Sequence, residues 1–192
     1  MESSMKIYFV TNNKLKVQVA RNSLHKHGIT VKQIVLDLPE IQSDSVKEIA
    51  IFSAKNAALV VGQPVIVGDT GFFVESLGGF PGPYLKYINE KLSPMQFSRL
   101  YSELENPTAY FLDALCYCKP AEQPVCFLSK THGHLVSKPK GRSNNMIETL
   151  FVPKGDVRTL AEIPHQDQIK LWSNERYAKL AKFLTKNRDD NR

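Results

Sequence analysis

Cysteine is scarce in this chain, and the little there is shows no pattern. The three cysteines among 192 residues, Cys116, Cys118 and Cys126, are an odd number without metal-ligand spacing or a matching histidine pair. Neither a disulfide framework nor a zinc site is therefore written into the sequence, and the three read as reduced, small core residues in a reducing compartment. No apolar run approaches the roughly 20 residues that a membrane helix needs, and Met1-Glu2-Ser3-Ser4 lacks the basic and apolar regions of a signal peptide. A soluble, cytoplasmic protein without a membrane partner is the expectation. There is no internal repeat, no low-complexity tract and no Gly-x-x-x-x-Gly-Lys phosphate loop.

What is present begins with length and charge. The chain is long enough to bury most of the surface its unfolded form exposes, so 1–192 reads as a single domain. A net charge of +6 favours an anionic partner: nucleotide, phosphometabolite or nucleic acid. Many of the basic residues fall in Lys138-Pro139-Lys140-Gly141-Arg142 and from Lys179 to Arg192, stretches that read as solvated surface.

The most informative stretch runs from Val67 to Tyr87. Val65, Ile66 and Val67 form a β-branched run that reads as a buried strand, with Gly68-Asp69-Thr70-Gly71 where it gives out. In open α/β sheets the ligand crevice lies beyond the carboxyl ends of strands. Asp69 is thus placed like a site residue, although an aspartate capping turn amides has the same signature. Gly78 to Pro83 follows as a tight, stiff loop.

From the start of the chain, Lys6 to Val10 reads as a strand, Thr11-Asn12-Asn13 as a capping turn, and Lys14 to His27 as a helix stopped by Gly28. Helix-start amides, the Thr11 hydroxyl, the Asn13 amide and the Lys16 ammonium together suit phosphate oxygens; an ordinary N-cap with surface lysines is the other reading. Val31 to Leu38 reads as a second strand, with Glu40 just beyond it. A largely buried helix is expected from Ser45 to Val61, with Lys55 either snorkelling to water or reaching an anionic site. Ser93 and Gln96 form a capping box opening a helix that buries Phe97, Leu100, Tyr101 and Leu104. Three short strands, Ala109 to Tyr117, Val125 to Ser129 and His132 to Val136, are expected as antiparallel hairpins, with a turn at Lys130-Thr131. A last helix is expected from Glu175 to Leu184.

Thr11-Asn12-Asn13 with Lys16, Leu38-Pro39-Glu40-Ile41-Gln42, Lys55, Gly68-Asp69-Thr70-Gly71 and Gly79-Phe80-Pro81-Gly82-Pro83-Tyr84, in this order and spacing, resemble the inosine triphosphate pyrophosphatase family. The resemblance covers nearly the whole chain. It implies an α/β fold, a central mixed β-sheet with helices on both sides and two lobes around a nucleotide cleft. It implies a Mg²⁺-dependent hydrolase that converts a nucleoside triphosphate to the monophosphate and pyrophosphate, and a homodimer. In that frame Thr11, Asn13, Lys16, Lys55, Thr70, Glu148 and Ser173 bind nucleotide. Glu40 and Asp69 hold the metal, and Asp69, Lys16 and Lys55 carry the catalysis.

The departures point the other way. Val19 and Gly68 stand where the family has acids, Ile147 where an aromatic ring stacks on the base, and Ile169 where it has a lysine. Asn174 and Glu175 follow Ser173 in place of a His-Arg pair; Trp172 and Arg176 nearby offer stacking or a bidentate contact instead. The sequence thus leaves open an active pyrophosphatase with altered base preference, a family member that binds nucleotide or a protein partner without turnover, and, more remotely, a nucleic-acid binder.

Overall fold

The computed structural model describes residues 5–104 and 107–189; the amino-terminal Met1 to Ser4 and the last residues of the basic carboxyl-terminal stretch lie outside them. Seven strands form one sheet: β1 (Met5–Val10), β2 (Ile29–Ile34), β3 (Val65–Val74), β4 (Pro81–Gly82), β5 (Thr108–Cys118), β6 (Val125–Leu135) and β7 (Phe151–Pro153). Their order is β2-β1-β3-β5-β6-β7, with β4 added to β3. β1 pairs in parallel with β2 and β3, while β4 on β3 and β7 on β6 are antiparallel, so the sheet is mixed as expected. The helices are α1 (Lys14–His25), α2 (Val46–Val61), α3 (Leu85–Lys91), α4 (Pro94–Arg99), α5 (His165–Trp172) and α6 (Glu175–Asp189). No helix among the described residues is long and apolar enough to cross a membrane.

The chain divides into two compact units, and β3, β5 and β6 each run through both. The first holds residues 1–69, 114–129 and 169–192. Its core joins Ile7 and Phe9 of β1, Val17, Ala20 and Leu24 of α1, Leu115 of β5 and Leu180 and Leu184 of α6. The periodicity of α1 and α6 sets one apolar stripe of each into this core. The second unit holds residues 70–113 and 130–168, where the rings of Phe72, Phe111 and Phe151 pack mutually with centroids 4.7 to 5.5 Å apart.

Several expectations are corrected. β3 does not give out at Gly68: it continues to Val74 because Phe72 and Val74 are themselves fully buried strand residues, so Asp69 sits within a strand. β2 starts earlier and ends at Ile34, leaving Val35 to Glu40 as irregular chain. β6 runs unbroken through Lys130-Thr131, with the Lys130 ammonium 4.1 Å from the Tyr110 ring centroid. The capping box of Ser93 and Gln96 is present, but α4 ends at Arg99 and continues in tighter three-residue turns. The change of pitch buries Phe97 and Tyr101 while leaving Leu100 and Leu104 exposed. α2 begins after its Ser45 cap and buries a stripe of Val46, Ala50, Ala54, Ala57 and Ala58; Leu59 and Val60 face solvent.

Cys116 and Cys126 are not free thiols. Their Cα atoms lie 4.0 Å apart on β5 and β6 and their sulfurs are bonded, whereas Cys118 is a free, buried thiol. The connection from Lys119 to Pro124 is hairpin-sized, far too short for a parallel crossover, and it brings the two cysteines face to face.

Candidate phosphate-binding site

In the first unit, the turn between β1 and α1 is fixed from both sides. Thr11 donates its backbone N–H to Ile34 and accepts at its carbonyl from the Gln33 amide, which anchors the turn to β2. The Thr11 hydroxyl oxygen accepts the Asn13 N–H at 3.1 Å, and Asn13 Oδ1 accepts the Lys16 N–H at 3.1 Å as the N-cap of α1. The first turn of this helix contains no acid, so its partial positive charge is not offset from within the helix. A helix start with no acid of its own and a nearby ammonium is an arrangement that suits an anion.

Lys16 ties this turn to the central strand. Its half-buried ammonium donates to the carbonyl of Gly68 at 3.0 Å, immediately before Asp69. Thr11, Asn13 and Lys16 are thereby brought together with the Gly68-Asp69 segment. Lys55, half-buried on α2, lies close enough to Cys118 for its charge to act on the thiol. Burial pushes the Cys118 thiol up, with Glu122 adding to the rise and Lys55 opposing it. Glu40 is exposed on the segment joining β2 to α2.

The base-side residues have other commitments. Ser173 donates to the Ile169 carbonyl at 2.7 Å and accepts from the Asn22 amide of α1 at 3.1 Å. Thr70 and Glu148 belong to the second unit, where Thr70 donates to Asp113 Oδ1 at 2.7 Å and Glu148 accepts from the Ser143 hydroxyl at 2.5 Å. Arg176 is buried, with Nη1 donating to Ser129 Oγ at 2.9 Å and its guanidinium over the Tyr177 ring. Asp113, 5% exposed, received no role from the sequence; its signal was a lone acid in the apolar run Ala109 to Cys118. Asn174 also went unassigned beyond its replacement of a family residue, and its Nδ2 is buried without a partner among the described residues.

Asp69 offers a carboxylate, the donor type that hard divalent cations take. No group of three or more His, Cys, Asp or Glu gathers among the described residues. Mg²⁺ does not require one, since it is typically held through one or two carboxylates plus substrate phosphates and water. Val19, Ile147 and Ile169, where the resemblance leads one to look for an acid, a ring and a lysine, are buried apolar residues. A Cβ on Gly68 would meet the Ala114 carbonyl oxygen and the Phe9 ring at 3.6 Å and Leu115 at 3.7 Å, ordinary contact distances.

With this geometry in view, the comparisons with known proteins converge. The model of the Ham1 family matches residues 7–185. The dITP/XTP pyrophosphatase of Methanopyrus kandleri is 38% identical over 167 residues, covering 87% of this chain and 89% of that protein. Inosine triphosphate pyrophosphatase 2 of Trypanosoma cruzi is 32% identical over 170 residues, covering 88% and 86%. Among solved structures, a HAM1 protein from Coxiella burnetii superposes with a TM-score of 0.80 at 18% identity, covering 95% of this chain and 99% of that one, which establishes the shared fold. A match across nearly all of the sequence, relatives above 30% identity and a common architecture place the chain in the Ham1 family.

Proposed function

We propose that the protein is a hydrolase that cleaves a nucleoside triphosphate to the monophosphate and pyrophosphate, with a base preference altered from that of its relatives. The observation that carries this reading is the bond from Lys16 to the Gly68 carbonyl, which joins an anion-binding helix start to the strand bearing Asp69. Support also comes from relatives named dITP/XTP pyrophosphatase, 31 to 38% identical over most of the chain.

In this reading the α1 amides, Thr11, Asn13, Lys16 and Lys55 hold the triphosphate. The two ammonium groups offset the charge that builds up as water attacks the α-phosphorus and pyrophosphate departs. Asp69 prepares that water, as metal ligand or as base accepting its proton. Glu40 and Asp69 would hold Mg²⁺, which supplies Lewis-acid neutralisation of the phosphate oxygens. Thr70, Glu148 and Ser173 complete the proposed nucleotide contacts, and the resemblance extends the proposal to a cytoplasmic homodimer.

A second reading, nucleotide binding without turnover, is favoured by Ile147, which is fully buried and so leaves no ring for the base at that position. One assay separates the two. Purified protein with Mg²⁺ is presented with dITP, ITP, XTP and the common nucleoside triphosphates, and pyrophosphate is measured beside Asp69→Asn. Release from at least one nucleotide, abolished in the variant, supports the hydrolase. Thermal stabilisation by nucleotide with no pyrophosphate from any of them supports the second reading and ends the first.

A further inference from the structure

Within the second unit a pocket of about 430 Å³ opens between the turns following α4 and the segment following β6. Its lining includes the apolar surface of Tyr101, Leu104, Pro107 and Leu135. Tyr101 is 2% exposed and donates its hydroxyl to the Val136 carbonyl at 2.9 Å, while Leu135 N–H bonds the Pro107 carbonyl at 3.0 Å, so these walls are tied to one another. The lining also carries the polar Ser102, His134 and Ser137 and the cationic Lys138 and Lys140, and no acid is among the described lining residues. The volume lies within the range of small-molecule sites.

The lysines belong to the basic run Lys138 to Arg142, which by sequence reads as solvated surface and which the proposed hydrolase does not use. Its backbone is not that of a loose surface loop. Lys140 donates its N–H to the Thr149 carbonyl at 2.8 Å and accepts at its own carbonyl from the fully buried Thr159 hydroxyl at 3.0 Å. Gly141 is held at φ +76° against Ala161, whose Cβ would lie 2.8 Å from any side chain added there. Pro139 stiffens the link between the two lysines. Two ammonium groups on a braced loop, beside hydroxyls and an apolar wall, favour an oxyanion attached to a carbon skeleton. Lysine serves phosphate as a point charge with three donors.

We propose that this pocket is a second binding site, outside the hydrolytic machinery, for a small phosphorylated molecule. Its phosphate is met by Lys138, Lys140 and Ser137, and its carbon skeleton lies on the Tyr101 and Leu104 side. The pocket is larger than bare phosphate fills, so the skeleton contributes to binding. None of these residues belongs to the proposed triphosphate site, so either proposal can fail without the other.

The test uses phenyl phosphate as the probe, with inorganic phosphate and phenol as its two halves, followed by amide chemical shifts of the full chain. The expected result is saturable shifts at Ser102, Leu104 and Ser137 to Lys140, at least ten-fold weaker for either half. Lys138→Ala with Lys140→Ala should weaken phenyl phosphate at these amides at least ten-fold, and Lys16→Ala should leave it unchanged. Ser137→Glu, at an exposed position, puts a carboxylate at the rim and should weaken it similarly while the melting temperature holds. No saturable shift at these amides, equal affinity in the double-lysine variant, or equal binding of phenol would each overturn the proposal.

Discussion

The Lys16 ammonium and the Gly68 carbonyl, 52 residues apart in sequence, meet at 3.0 Å. The bond gives Lys16 a structural share and a chemical share that can be separated. Lys16→Met keeps an apolar stem and removes the charge. The lost hydrogen bond should cost about 1–3 kcal/mol of stability. The lost ammonium should lower kcat/KM by roughly 10²- to 10³-fold, the scale seen when a positioned electrostatic group is removed. Melting temperature and pyrophosphate release measured on the same preparation check both. Unchanged hydrolysis beside a lowered melting temperature would reduce Lys16 to a purely structural residue.

The pairing of Cys116 with Cys126 leaves Cys118 as the single thiol. Unfolded without reductant, the chain should therefore titrate one thiol, and three after reduction. In the folded state Cys118 should react slowly with iodoacetamide near neutral pH, because burial, then Glu122, holds its thiol above the usual range and only the thiolate attacks. Cys126→Ser should lower stability by about 2–3 kcal/mol, the scale for closing a short loop. Three thiols in the unreduced, unfolded chain would contradict the bridge.

What the sequence made legible was local chemistry. The Ser93-Gln96 capping box and the Asn13 turn follow from side chains bonding backbone a few residues away, and they sit where their spacing put them. Contacts across the chain were less legible. Gly68 and Gly71 look like breaks in a strand, yet β3 runs on because Phe72 and Val74 beyond them enter a core whose partners, Phe111 and Phe151, are distant in sequence. Lys130-Thr131 resembles a turn for the same reason: pairing with neighbouring strands, invisible locally, carries β6 through it. In the candidate site the residue types were legible, but the bond joining Lys16 to Gly68 was not.

Gly133 shows how a tertiary contact fixes a residue type. It pairs with Pro153 across β6 and β7, and a Cβ there would run into the Val152 carbonyl and the Phe151 ring. Backbone on one side and a fully buried ring on the other leave little room to yield. Gly133→Ala should destabilise the fold by at least about 1–3 kcal/mol, as overpacking typically does. Chemical denaturation of wild type and variant checks it. An unchanged midpoint would mean that β7 moves aside freely.

A pH dependence follows from Glu162. Its carboxylate Oε2 accepts the Thr159 N–H at 2.9 Å, closing a capping box on the short turn from Leu160 to Glu162. That backbone bond is the largest influence holding the group below its ordinary value, with the Thr159 hydroxyl and the charge of Lys140 acting in the same direction against some desolvation. A carboxylate depressed on folding stabilises the folded state fully above the unfolded value, about 4.3 for glutamate, and loses that contribution as pH falls through the folded value. The Thr159 amide should therefore exchange faster with solvent, relative to its intrinsic rate, as pH drops below about 4. Glu162→Gln keeps an acceptor for the Thr159 N–H but does not titrate, so it should flatten this dependence while preserving the turn. Because Thr159 also donates to the Lys140 carbonyl, the amides of the basic loop should respond over the same pH range. A pH dependence at Thr159 that persists in Glu162→Gln would assign it to another group.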